Sequence, residues 1–151
     1  MKEIYDVGIV FRGFVLVNNI FKELPGLKET EGKKDLRGAF ISAISSFTEV
    51  AFTNNYLEYF ESGNILFIFK MAEVKSSDNK SKEPIILYGL TEKGKKKSPD
   101  KYVKKFLGRA ELVLESFIQQ FHDRDFTELN QFEPFKEDLK EYFIKKQESI
   151  I

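Results

Sequence analysis

Ile4-Tyr5-Asp6-Val7-Gly8-Ile9-Val10-Phe11-Arg12-Gly13-Phe14-Val15-Leu16-Val17-Asn18-Asn19-Ile20-Phe21 decides the fold class. Two runs rich in β-branched and aromatic residues meet at Arg12-Gly13, where glycine supplies the unusual dihedrals of a tight hairpin. Alternation sets Tyr5, Val7, Ile9 and Phe11 on one side of the first run, with Ile4, Gly8 and Val10 on the other. Both sides are largely apolar, so this strand is expected to be covered on both faces.

The same reasoning extends along the chain. Ile65-Leu66-Phe67-Ile68-Phe69 opens a run to Val74 that is apolar on both faces, as a central strand is. Tyr56 to Glu61 alternates as an edge strand does, and Ser62-Gly63-Asn64 makes the turn between them. Pro84 precedes a further short strand, Ile85 to Leu90. The polar stretch Lys75 to Glu83 has nothing to bury and is expected to project flexibly. Helical periods occupy the remainder. After Leu24-Pro25-Gly26 and a charged loop, Leu36, Phe40, Ala43/Ile44, Phe47 and Val50/Ala51 form one amphipathic stripe, capped at Asp35 and ended by Asn54-Asn55. Ser98-Pro99-Asp100 is a helix start, with Ser as cap and Pro in the first turn. Tyr102/Val103, Phe106/Leu107, Ala110, Val113/Leu114, Phe117/Ile118 and Phe121 then mark about six turns. Gly108 in its middle is expected to permit close packing. The chain is irregular from His122 to Glu133, and Pro134 opens a last helix with Phe135, Leu139 and Tyr142/Phe143 inward. The sum is an α+β fold in one domain spanning residues 1–151, an α-β-α sandwich around a five-stranded antiparallel sheet. The element order is β-β-α-β-β-β-α-α, with the first helix on one face and the last two on the other.

Composition bounds the function classes. The chain has 151 residues, 24 Lys+Arg, 24 Asp+Glu, 16 Phe, 6 Tyr and no Cys or Trp. A domain of this length hides roughly 68–70% of its unfolded surface, so it builds a core without staples. Absence of cysteine excludes disulfide scaffolds, thiolate zinc sites, iron–sulfur clusters and thiol catalysis. No signal-peptide core or membrane-length apolar run is seen, and a cytoplasmic location is expected. The zero net charge hides an asymmetry. Lys93 to Arg109 holds eight bases and one acid, whereas Glu111 to Glu141 holds nine acids and three bases.

Motifs for catalysis are incomplete. Gly89-Leu90-Thr91-Glu92-Lys93-Gly94-Lys95-Lys96 has the spacing of a phosphate-binding loop, but Lys96 stands where a magnesium-holding hydroxyl is needed. His122-Asp123-Arg124-Asp125 offers one imidazole and two carboxylates, short of a tetrahedral site and opposed by Arg124. No G-x-S-x-G elbow accompanies the lone histidine. No catalytic residue, cofactor or metal is therefore assigned, and a non-enzymatic protein is expected. The basic stretch has three readings: a solvated face, a contact for an acidic protein or anionic lipid, or a nucleic-acid site. The last lacks the interleaved aromatics that stacking requires, and no nucleic-acid partner is expected.

The element order resembles the longin domain and, more broadly, the longin/roadblock group of profilin-like domains. Ile4 to Phe11 looks like the first strand of such domains. Leu36-Arg37-Gly38-Ala39-Phe40-Ile41-Ser42-Ala43-Ile44-Ser45-Ser46-Phe47 looks like their first helix in its archaeal form, and Phe132 to Leu139 resembles the start of their last helix. Roadblock domains open with an extra helix for which three residues before Ile4 leave no room, so longin order is favoured. The resemblance implies a platform or subunit in small-GTPase regulation or vesicle-trafficking-type complexes. It implies protein partners, a homodimer or heteromeric assembly, and at most peripheral membrane contact. Contacts are then expected on the outer side of Asp35 to Thr53, at Tyr56 and Tyr59 of the edge strand, and at Lys93, Lys95, Lys96 and Lys97. Packing of both tyrosines inside the domain is the bland reading beside it. A small-ligand sensor with a pocket in the Phe-rich interior, and a phosphohydrolase using the Gly89 to Lys96 loop, are the rival readings.

Overall fold

Arg12 and Gly13 both take positive φ, 53° and 80°, so the two-residue link at Phe11–Phe14 has the dihedrals of a type I′ turn. Its twist matches that of the strands it joins, β1 (Ile4–Phe11) and β2 (Phe14–Ile20). The computed structural model describes residues 4–23, 59–62, 64–94 and 99–150. Within them follow β3 (Tyr59–Ser62), β4 (Ile65–Val74), β5 (Glu83–Glu92), helix α1 (Asp100–Phe121), a 3-10 turn at Leu129–Phe132 and helix α2 (Phe135–Ile150). The sheet is antiparallel throughout, in the order β2-β1-β5-β4-β3, with four strands of seven to ten residues and the four-residue β3 at one edge. The fold is therefore α+β. The helix expected over Asp35 to Thr53, and Tyr56 of the expected edge strand, lie outside the described residues.

Both helices pack on one face of the sheet. Val7, Ile9, Phe11, Leu66, Ile68, Ile85 and Leu87 meet Val103, Phe106, Val113 and Phe117 of α1 and Phe135, Leu139 and Phe143 of α2. Phe117 is the hub, with ring centres 4.8 Å from Phe121, 5.1 Å from Phe135 and 5.4 Å from Phe132. Gly89 of β5 lies beneath α1, and a Cβ there would overlap the Phe106 ring. That glycine sets how close the helix comes to the sheet. Nearby, burial pushes the Tyr102 phenol up to about 12, with Thr91 acting the other way.

The opposite face is a second apolar cluster of Tyr5, Val10, Phe67, Phe69, Ile86, Tyr88 and Leu90, each at most 7% exposed. Among the described residues, none of α1 or α2 belongs to it. Gly8 makes room here for Tyr88, whose Oη would stand 2.5 Å from a Cβ. The Tyr88 hydroxyl donates to Asp6 Oδ2 at 3.0 Å, and Asn18 Nδ2 donates to Asp6 Oδ1 at 3.2 Å.

Four expectations change. Ile4 belongs to the helix-side core and Tyr5 to the second face, the reverse of simple alternation. The cause is a register shift against β5, where Ile4 pairs with Thr91 but Asp6 with Leu90, so Tyr5 is the extra residue. Pro84 lies inside β5 rather than before it. It falls beyond the last β1 partner, Phe11–Ile85, where β5 is paired on one side only. Residues 75–82 do not project freely, because Arg12 and two backbone hydrogen bonds hold them, as described below. Gly108 permits no close packing among the described residues: a Cβ there would meet none of them within 4 Å, and the residue faces solvent.

Candidate functional site

The corner where β3, the end of β5 and the start of α1 converge holds the described part of the expected interaction surface. Tyr59 and Glu61, two residues apart on β3, pair with Ile68 and Leu66 of the helix-side core and so face the helices. The Tyr59 hydroxyl donates to Asp100 Oδ1 at 2.8 Å, tying the edge strand to the first turn of α1. That hydrogen bond, given to a carboxylate, holds the Tyr59 phenol above its ordinary pKa. Lys93 follows β5; its amide donates to the Asn64 carbonyl at 2.8 Å, and its Nζ lies 2.8 Å from Glu61 Oε2. The structure thus brings Tyr59 and Lys93 to one corner. Tyr56, Lys95, Lys96 and Lys97 lie outside the described residues. Tyr59 is half-buried, so its ring is shared between core and surface.

Beyond this corner α1 presents Lys101, Lys104 and Lys105 to solvent. Pro99 stands at the N-cap without a side-chain cap, and Val103 N donates to the Pro99 carbonyl at 2.9 Å. Gly89, the first glycine of the phosphate-loop spacing, is a strand residue paired with Val7 and Ile68. Its backbone is committed to the sheet and does not form a loop cradle.

A second polar centre was not anticipated from the sequence. Arg12 at the hairpin turn donates from Nε to Glu83 Oε2 at 2.8 Å and from Nη2 to Glu83 Oε1 at 2.5 Å. It also grips Asp78, at 3.0 Å from Nη1 and 2.9 Å from Nη2. Its guanidinium stacks over the Phe11 ring, 4.8 Å from the centroid. Ser76 and Asn79 complete the cluster through Asp78 Oδ1 and Glu83 Oε1. The Arg12 hydrogen bonds hold the Asp78 and Glu83 carboxyls below the usual range and raise the guanidinium in turn. Ser77 N donates to the Arg124 carbonyl and Asp123 N to the Lys75 carbonyl, joining this loop to the end of α1. The one sequence signal was an arginine beside the turn glycine, at a position where a positive φ disfavours it.

The carboxylates of the His122 segment are tied to neighbouring side chains. Lys75 Nζ lies 2.5 Å from Asp123 Oδ1, and Thr127 donates to Asp125 Oδ1 from its amide and its hydroxyl. These contacts hold both carboxyls below their ordinary pKa. Among the described residues no group of three or more His, Cys, Asp or Glu is placed to hold a metal, and no helix is long and apolar enough to cross a membrane. Against known proteins, no family model, no curated protein and no solved structure matches this chain.

Proposed function

We propose that this chain is a longin-like interaction domain, a platform or subunit for small-GTPase regulation or vesicle-trafficking-type complexes, and not an enzyme. The observation that carries the reading is the β3 corner. A short edge strand, paired on one side among the described residues, meets the first lysine of the basic stretch there. An open edge accepts a partner strand through its main chain, and a flanking charged surface selects which partner docks. In this reading Lys93, Lys95, Lys96 and Lys97 meet an acidic surface such as a GTPase switch region, while Tyr56 and the ring of Tyr59 contribute apolar area.

The finer architecture follows the same reading. In it the stripe Leu36, Phe40, Ala43/Ile44, Phe47 and Val50/Ala51 belongs to a helix of the other layer. The result is the five-stranded sandwich in longin order, working in the cytoplasm. Support comes from the burial of that second face, to which no described residue of α1 or α2 contributes.

The sensor reading asks for a cavity among the phenylalanines. In the described core those rings are in mutual contact around Phe117. A groove of about 290 Å³ does lie between α1 and α2, lined by Leu112, Ser116, Phe135, Asp138, Glu141 and Tyr142, but on the outer side of the helices. Triple charge reversal, Lys95→Glu, Lys96→Glu and Lys97→Glu, tests the platform. Affinity for a GTPase partner, measured by titration, is expected to fall at least about tenfold with the melting temperature unchanged. Unchanged affinity removes the basic stretch from the mechanism.

A further inference from the structure

The outward face of α1 is divided into two oppositely charged halves around a glycine. Lys101, Lys104 and Lys105 lie before Gly108; Glu111, Leu112 and Glu115 lie after it, and all seven face solvent. At 100° per residue these positions fall within about 60° of the Gly108 direction, so they form one stripe. Leu112 is 54% exposed, a large apolar side chain at the centre of a charged face. Gly108 has open space where a Cβ would stand, so nothing among the described residues explains a glycine there.

We propose that this face binds a second copy of the chain, with the two α1 helices antiparallel about a two-fold axis at Gly108. Positions at matching heights on the same flank of the stripe then face each other, and the charges match. Lys101 meets Glu115 of the second copy, Lys104 meets Glu111, and the reciprocal contacts repeat both pairs. The stem of Lys105 lies over Leu112 of the second copy, at the mouth of the groove rimmed by Asp138 and Glu141. Gly108 meets Gly108 at the crossing, where the missing side chains let the backbones approach. One arrangement accounts for the exposed leucine, the glycine and the charge order together. It uses a different surface from the β3 corner and does not rest on the longin-like reading.

A contact made mainly by two helices sits at the small end of specific interfaces, so a micromolar dimer is expected. Sedimentation of the full chain across that range gives the wild-type dissociation constant. Two charge-swapped chains, Lys101→Glu/Lys104→Glu and Glu111→Lys/Glu115→Lys, are each expected to lose self-association by on the order of a hundredfold. Mixed together they are expected to form a heterodimer of near wild-type affinity, since the mixed pair restores opposite charges on both sides. Gly108→Ala is expected to weaken the dimer while leaving the monomer folded. A wild-type chain monomeric at the highest micromolar loading overturns the proposal. So does a dimer that ignores both swaps, or swapped chains that fail to recover on mixing.

Discussion

Arg12 occupies a backbone position that favours Asn or Gly, and its two carboxylate partners explain its place there. Removing the side chain as Arg12→Ala leaves the strained turn and frees the loop. Amide exchange at residues 76–82 is expected to accelerate, with a loss of about 1 kcal/mol, as suits a half-exposed ion cluster. Unchanged protection in that loop would contradict the clamp. Acid acts on the same cluster. Asp78, Glu83, Asp123 and Asp125 titrate below their ordinary values of 3.8 and 4.5 when folded, so on acidification the unfolded chain binds protons first. Their stabilisation is complete above about pH 5.5 and is lost as pH falls through the ordinary and then the folded values. Melting temperatures should therefore drop between pH 5 and pH 3, about as the carboxylates titrate, and less steeply in Arg12→Ala. Gly89 gives the opposite kind of sensitivity. Gly89→Ala drives a methyl into Phe106 and is expected to cost about 1–3 kcal/mol in urea unfolding, partly recovered by adding Phe106→Leu. No recovery would mean that the glycine serves the strand and not the helix contact.

Among the elements, α1 combines a packed side that was legible with an outer side that was not. Its buried positions Val103, Phe106, Ala110, Val113, Leu114, Phe117 and Phe121 keep the helical period of the sequence, because one deep core dictates them all. The hairpin, the central strand Ile65–Val74 and the last helix were readable for the same reason. The facing of Ile4 and Tyr5 was not, since a bulge moves one residue without changing composition. The Arg12 cluster was hidden because its partners lie 66 and 71 residues away in the chain, beyond any periodicity. Of the candidate corner, the sequence showed an aromatic edge and a run of lysines; the ties to Asp100 and Glu61 needed three dimensions. Tyr59→Phe removes one of these ties and is expected to lower stability by about 0.5–1.5 kcal/mol, read by chemical denaturation. An unaltered midpoint would show that Asp100 finds an equal partner in water. Gly108→Ala works in the other direction. Under dilute, monomeric conditions it should raise stability by about 0.5–1 kcal/mol through helix propensity.

At the scale of the molecule, an antiparallel sheet separates two apolar clusters, with α1 and α2 on one of them. The polar groups at its rim are engaged in ties between elements: Arg12 with Glu83, Lys75 with Asp123, Tyr59 with Asp100 and Lys93 with Glu61. That economy suits a rigid body that presents surfaces, as the platform reading proposes. Capture of the host's small GTPases on the immobilised, folded chain, each prepared nucleotide-free, GDP-loaded and GTP-analogue-loaded, tests that reading most directly. The account expects capture that depends on the nucleotide state, with the empty form favoured by an exchange-factor subunit and the triphosphate form by an effector platform. Failure to retain any of them in any state would contradict it.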